Sequence, residues 1–331
     1  MPAQDHPDVT DSNQTINPRD AVDLHLHTLA SDGFWAVDDL INTVADRGFK
    51  VVAVADHDNQ RSVARAIEVG RERGVIVVPG VEMTVRWNDR QIHVLVYGLQ
   101  PGLTAPEATA WNAALTDIDN LMMERAADAA LRFESSGRPL PSLDGIVNGR
   151  PMWPFHVLSS AIKEGHAKNL KESAELLLEI GGDFNGDLPM DRVVDAAHQA
   201  GGITVVAHPG RGDSVGLVTE ADFDAFLPEI PVDGLEAHYR SHSDATTAMY
   251  RRIANERGLL ISTGSDSHAP RMPVDPMPWQ AVWSRDLLSR LGIEVAPLEP
   301  GEAVWQEGMS PPSSVPAPAP EAAETSKESG E

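Results

Sequence analysis

The stretch AVDLHLHT, Ala21–Thr28, sets two histidines two residues apart inside an apolar run. On an extended strand residues i and i+2 leave the same face, so His25 and His27 point together. Six further apolar runs read as strands: Val51–Ala55, Val75–Pro79, Gln91–Tyr97, Ile203–Ala207, Asp233–Ala237 and Leu259–Thr263. Their Val, Ile and Leu content suits strands buried on both faces. Helical spacing fills the gaps at Val37–Arg47, Arg61–Arg73, Asp191–Ala200 and Asp244–Arg257, and Gly48, Gly74, Gly201 and Gly258 follow these helices as left-handed caps. The alternation predicts an α/β protein with a parallel sheet or barrel. Seven strands is one short of the usual eight-stranded barrel.

The alternation breaks between Leu99 and Met190, where Pro106–Phe133 reads as one long helix and Pro154–Lys163 and Leu170–Ile180 as two shorter ones. The expected organisation is therefore a barrel from residues 21–98 and 191–296, with a helical insertion at 99–190 after strand four. A disordered N-terminal segment at 1–20 and a Pro/Ala/Glu-rich disordered tail at 297–331 flank it, because neither holds enough large apolar residues to repay ordering.

Composition narrows the function. The chain of 331 residues carries a net charge of −24, of which −4 lies in the last 25 residues, −3 in the first 20 and −17 between them. Such a surface repels long polyanions, since duplex binding needs Lys and Arg to displace phosphate counterions. Long duplex nucleic acid and anionic membranes are disfavoured partners, whereas a small anion neutralised by metal ions is allowed. The absence of cysteine excludes disulfides, thiolate metal sites and a Cys nucleophile. No apolar run of ~18 residues and no signal-peptide pattern is present, so a cytoplasmic protein is expected. Asn13-Gln14-Thr15 matches a glycosylation sequon that this location leaves unused.

The histidines carry the chemistry. Of twelve, six fall at or near strands in the company of acids: His25 and His27 with Asp32, His57 between Asp56 and Asp58, His93, His208, and His268 after Asp266, while Glu82 closes another strand. A parallel barrel opens every strand's C-terminal end on one face and gathers such residues into one cup. Imidazole and carboxylate are ligands for Zn, Mn or Fe, and six His with three acids suffice for two or three ions. Asp56 and Asp58 read as groups that orient or cap, while His6, His166 and His198 read as structural. Arg211, after His-Pro-Gly, is a candidate phosphate clamp with a structural ion pair as the alternative, and His238 or His242 a candidate proton donor.

The ordered series DLHLHTLASDG, VVAVADHDN, VVPGVEMT, QIHVLVYG, VVAHPGR, GLEAHY and STGSDSHA resembles the PHP (polymerase and histidinol phosphatase) domain family. The resemblance implies a distorted seven-stranded (β/α)7 barrel with a trinuclear metal site. In that scheme His25, His27, Glu82 and Asp266 hold one ion, Asp32, His57 and His268 a second, and Glu82, His93 and His208 a third, with Glu82 as bridge. The helical insertion resembles stand-alone bacterial phosphoesterases of the family. That implies hydrolysis of a small phosphomonoester, a nucleotide such as AMP or a 3′,5′-bisphosphate, by a metal-activated hydroxide. A 5′–3′ exonuclease on short RNA or DNA, a histidinol-phosphate-type phosphatase, an amidohydrolase and a catalytically idle metal-binding module are the alternatives. The resembling subgroup usually carries Arg-Pro-His, whereas Arg150-Pro151 here precedes Met152 and the nearest histidine is His156. His156 is accordingly a candidate substrate contact or a member of a packed cap. The protein partner and oligomeric state stay open.

Overall fold

β-Branched residues with both faces covered build the central sheet. In the computed structural model, which describes residues 15–211, 217–270 and 275–309, β1 (Ala21–Leu26) is followed by α1 (Val37–Asp46), β2 (Phe49–Val54), α2 (Val63–Arg73), β3 (Ile76–Trp87) and β4 (Arg90–Tyr97). Four helices come next: α3 (Thr109–Ser135), α4 (Leu143–Val147), α5 (Pro154–Lys163) and α6 (Leu170–Glu179). The chain then resumes alternation with β5 (Leu188–Pro189), α7 (Met190–Gln199), β6 (Ile203–Val206), α8 (Glu220–Phe226), β7 (Gly234–Tyr239), α9 (Asp244–Arg257) and β8 (Leu260–Gly264). β9 (Trp279–Gln280) and α10 (Arg285–Arg290) complete it.

The strand order is β8-β7-β6-β4-β3-β2-β1-β9, with β5 on the far end of β3. Just past the end of β8 the chain meets β1: Asp266 N donates to His25 O (2.8 Å) and His27 N to Ser267 O (2.9 Å). The sheet therefore nearly closes into a barrel, and these two links lie inside the histidine-rich segments.

The expectation of parallel strands throughout needs correction. β4 runs antiparallel to both β3 and β6, and β9 antiparallel to β1. Pro79-Gly80 reads as a strand end, yet β3 continues through it: residues 76–79 pair with β2, and 80–87 pair with β4. The hairpin turns at Asn88-Asp89, with Asn88 at φ 53°, a position that asparagine tolerates better than most residues. Trp87-Asn88-Asp89-Arg90 was the local signal for it.

Helices cover the outside of the sheet. α2 and α9 end on Gly74 and Gly258 in the left-handed conformation, as their positions predict. The N-terminal half of α3 packs Trp111 and Ile118 onto the barrel core. Its C-terminal half builds a separate apolar cluster through Phe133, Val157 and Leu177 with α5 and α6. Residues 15–20 and 297–309, read from composition as unstructured, run along the barrel. Ile16 is buried and bridges to Val295, and Trp283 Nε1 donates to Val304 O (2.8 Å). Their few apolar residues dock on a preformed core, which composition does not reveal. The sequon at Asn13 and the remainder of the tails lie outside the described residues. No helix among the described residues is long and apolar enough to cross a membrane.

Candidate metal centre

Glu82 sits midway along β3, fully buried, with imidazoles on both carboxylate oxygens. Its Oε1 lies 2.9 Å from His93 Nδ1 and 2.8 Å from His208 Nε2. Its Oε2 lies 3.0 Å from His25 Nε2, 3.1 Å from His27 Nε2 and 3.4 Å from His57 Nε2. Asp266 Oδ1 adds contacts of 3.1 Å to His27 and 3.3 Å to His268 Nδ1. Asp32 Oδ1 is 3.2 Å from His268 Nε2, and its Oδ2 is 3.9 Å from His57 Nε2. All nine predicted ligands thus meet at one end of the barrel.

Strand direction explains His93. It lies near the start of β4, and it reaches the open face because β4 is reversed: Thr84 pairs with His93 and Glu82 with Leu95. His25, in β1, and His27, one residue past its end, turn their rings together, as their spacing predicts. Backbone strain collects at the same place. Asp58, His208 and Asp266 are three of the five non-glycine residues with positive φ among the described residues. Such conformations persist where surrounding bonds enforce them.

The donor set fits metal ions. His25 Nε2 and His27 Nε2 approach to 3.0 Å while both face Glu82. Two ring nitrogens and a carboxylate converging on one point leave room for a cation better than for a shared proton. Asp32 Oδ1 and Asp266 Oδ1 are buried and accept no hydrogen bond of normal geometry, despite imidazole nitrogens close by. Among the described residues, three groups bring their ligand atoms within 4.8 Å of one another: His25, His27, Glu82 and Asp266; His27, Asp32, His57 and His268; and His57, Glu82 and His93. The last has His57 where the family resemblance implies His208, which contacts the same Oε1 as His93. Electrostatics agree with a cationic site. Burial pushes the Glu82 carboxyl up, but the surrounding imidazoles, His25 foremost, outweigh this and hold it well below the carboxylate range. Burial lowers His57 to about 3, which leaves one ring nitrogen with a lone pair free to coordinate.

Residues 23–125 match the model of the PHP domain. The chain carries a PHP domain. A 3′,5′-nucleoside bisphosphate phosphatase of Chromobacterium violaceum is 29% identical over 263 residues, covering 75% of this chain and 87% of that protein. The 5′-3′ exoribonuclease Rnm of Escherichia coli is 27% identical over 293 residues, covering 86% and 92%. A solved structure from C. violaceum, described as an amidohydrolase with bound sulfate and no metal, superposes with a TM-score of 0.68 at 27% identity. It covers 82% of this chain and 96% of that one.

A shell of buried groups orients this PHP centre, and part of it escaped the sequence reading. Glu236 Oε1 lies 3.2 Å from His25 Nδ1, while its Oε2 accepts from His208 N (2.8 Å). An acid in the middle of the apolar run GLEAHY was the available signal. Tyr239 donates to Asp266 Oδ2 (2.9 Å), and Arg240 lies 3.1 Å from the same oxygen. Burial pushes the Asp23 carboxyl up to about 7, and that group accepts from Ser265 N and Met277 N. Asp56 takes Thr28 N (2.7 Å) and the Ser31 hydroxyl (2.7 Å), and Asp58 takes Thr84 N (2.7 Å). These two aspartates brace the loops that carry ligands and do not touch the rings.

The other candidates divide. Arg211 lines the adjoining cavity, with Nη1 3.3 Å from Asp266 Oδ2. The clamp and ion-pair readings therefore apply to one position. His238 does not reach the cluster. A bulge in β7 between Glu236 and His238 turns it outward, where it stacks on Trp283 at 4.5 Å and accepts from Arg251 (2.8 Å). One extra residue reverses the faces that follow, which brings Tyr239 inward instead. His242 lies behind the His-Pro-Gly loop, with Nδ1 donating to Ala237 O (3.1 Å) and its ring stacked on Tyr250. Neither is placed to protonate a leaving group. His156 is buried at the start of α5, where Nδ1 accepts from Trp153 N (3.0 Å) and Nε2 has no partner. Burial lowers it to about 4. His166 and His198 bind Pro139 O and Asp233, as structural residues do.

Proposed function

We propose that this chain is a metal-dependent phosphoric ester hydrolase acting on a small phosphomonoester, a nucleotide of the AMP or 3′,5′-bisphosphate type. The observation that carries the reading is Glu82: one buried carboxylate shared by five imidazoles at the open end of the sheet. Its relatives' hydrolysis of phosphoric esters supports the same class. A carboxylate, not a lysine, occupies the centre, which argues against a C–N hydrolase of amidohydrolase type.

Two or three divalent ions, Mn, Fe or Zn, would be held by His25, His27, Asp32, His57, Glu82, His93, His208, Asp266 and His268. When bound they supply positive charge for the phosphoryl oxygens and activate water. The chain's own groups do the rest. Arg211 donates hydrogen bonds toward a phosphate at the cavity end of the cluster. Arg240 and Tyr239 fix Asp266, and Glu236 fixes the His25 ring with Nε2 turned inward, which keeps ligand atoms in place without reorganisation. Purified protein is expected to contain more than one equivalent of transition metal, and His25→Ala to lose both metal and phosphatase activity. Elemental analysis finding no metal, together with activity indifferent to chelator, would overturn the reading.

A 5′–3′ exonuclease on short RNA is the second reading, favoured by the E. coli relative's coverage of 86% of this chain. Substrate length separates the two. A surface charge of −17 outside the tails repels trailing phosphates, and the field of the metal cluster is screened beyond about 8 Å at physiological salt. With 5′-phosphorylated oligonucleotides kcat/KM is expected to fall as length grows, with added salt partly restoring the longer substrates. Long single strands cleaved faster than mononucleotides at low salt would favour the exonuclease.

A further inference from the structure

The cavity beside the cluster has two unlike ends. Asp32, His57 and His93 form one end. The remainder is walled by Trp153, Phe155, Leu158, Leu178 and Phe184, from α5, α6 and the segments beside them. At about 820 Å³ it far exceeds a phosphate and falls within the range of small-molecule sites.

Charge along its wall is sparse. The cations are Lys171 and Arg211, against Asp32, Asp58 and Glu175. Lys171 is 86% exposed and 3.9 Å from Glu175, and Arg211 adjoins Asp266. A second phosphate in the distal part would lose hydration without gaining a cationic cradle. The polar side chains face their own neighbours: Gln91 Nε2 donates to Asp187 (3.2 Å) and Asn185 Nδ2 to Asp183 (3.1 Å). The edge of a base finds few partners there, whereas a flat ring or an alkyl group finds aromatic faces and leucines. Trp153 is fixed in the wall by Asp119, which accepts from its Nε1 (3.1 Å), and by Arg61 over its ring.

We propose that this cavity is a leaving-group subsite for one uncharged apolar or aromatic group, read by its face and not its edges, and that it holds no second phosphate site. The proposal rests on the phosphoesterase reading of the adjoining cluster. It favours a monophosphate over a bisphosphate and predicts tolerance of the base.

The test uses the metal-loaded full chain with 1-naphthyl phosphate, glycerol 2-phosphate, the four common nucleoside monophosphates and adenosine 3′,5′-bisphosphate. The KM for 1-naphthyl phosphate is expected to lie about tenfold below that for glycerol 2-phosphate, the gain from burying roughly 55 Å² of apolar surface, and KM is compared because the aryl leaving group raises kcat by itself. The four monophosphates should agree within about tenfold, because stacking is tolerant of the base. Leu178 is half exposed, so Leu178→Asp should fold and raise KM for 1-naphthyl phosphate about tenfold more than it raises KM for glycerol 2-phosphate. Equal KM for the naphthyl and glycerol esters, or a bisphosphate at least tenfold better than AMP in kcat/KM, overturns the proposal. Calorimetric binding of 1-naphthyl phosphate to both proteins separates the two levels of the argument. Binding weakened by Leu178→Asp without turnover of any ester sinks the phosphoesterase reading and keeps the subsite. Turnover with binding indifferent to Leu178→Asp sinks the subsite alone.

Discussion

Glu82→Gln is expected to cut phosphatase activity by about 10³-fold or more, the scale on which loss of one buried electrostatic group depresses a rate. The substitution keeps shape and removes a charge that five imidazoles share. It also points an amide N–H toward ring nitrogens whose lone pairs converge there. Because Glu82 belongs to two of the three candidate groups, its loss should lower the stoichiometry of more than one ion. His93→Ala, by contrast, removes a ligand of one group and should empty one site preferentially. Metal titration followed by elemental analysis compares them. An equal and modest loss in both variants would show that Glu82 does not bridge.

Gly264→Ala has the second large effect, although Gly264 itself offers no ligand atom. A Cβ there would lie 2.1 Å from Glu236 Oε1 and 2.3 Å from His25 Cβ. The second neighbour is close to the backbone of β1, so β8 or Glu236 has to move. Overpacking of this kind costs about 1–3 kcal/mol in stability. The loss of orientation at His25 should weaken metal binding by about 10–100-fold, as removal of such supporting groups does. Urea unfolding and metal affinity measured on the same variant check both parts. Wild-type affinity would mean that Glu236 does not set the His25 ring.

Both variants probe what spacing along the chain does and does not encode. His25 and His27 could be placed together from their separation alone, because a strand's alternation is local. Asp32, His57, Glu82, His208, Asp266 and His268 could be grouped from the β–α rhythm, since each follows or ends an apolar run. The helices were legible for the same reason: α5 and α9 fall where their apolar spacing and caps put them.

Three features were decided elsewhere. The direction of β4 depends on the Asn88-Asp89 hairpin and on its pairing with β6, more than a hundred residues later, and that reversal brings His93 to the cup. The fate of His238 turned on one extra residue in β7, set by how that strand registers against β8. Glu236, Tyr239 and Arg240 became part of the site only because that register aims them at His25 and Asp266. Residue type and local periodicity picked out the candidate metal ligands and which face of a strand each leaves. Strand direction and register are chosen by contacts distant in sequence, and only the folded sheet decided which of those faces look into the cup.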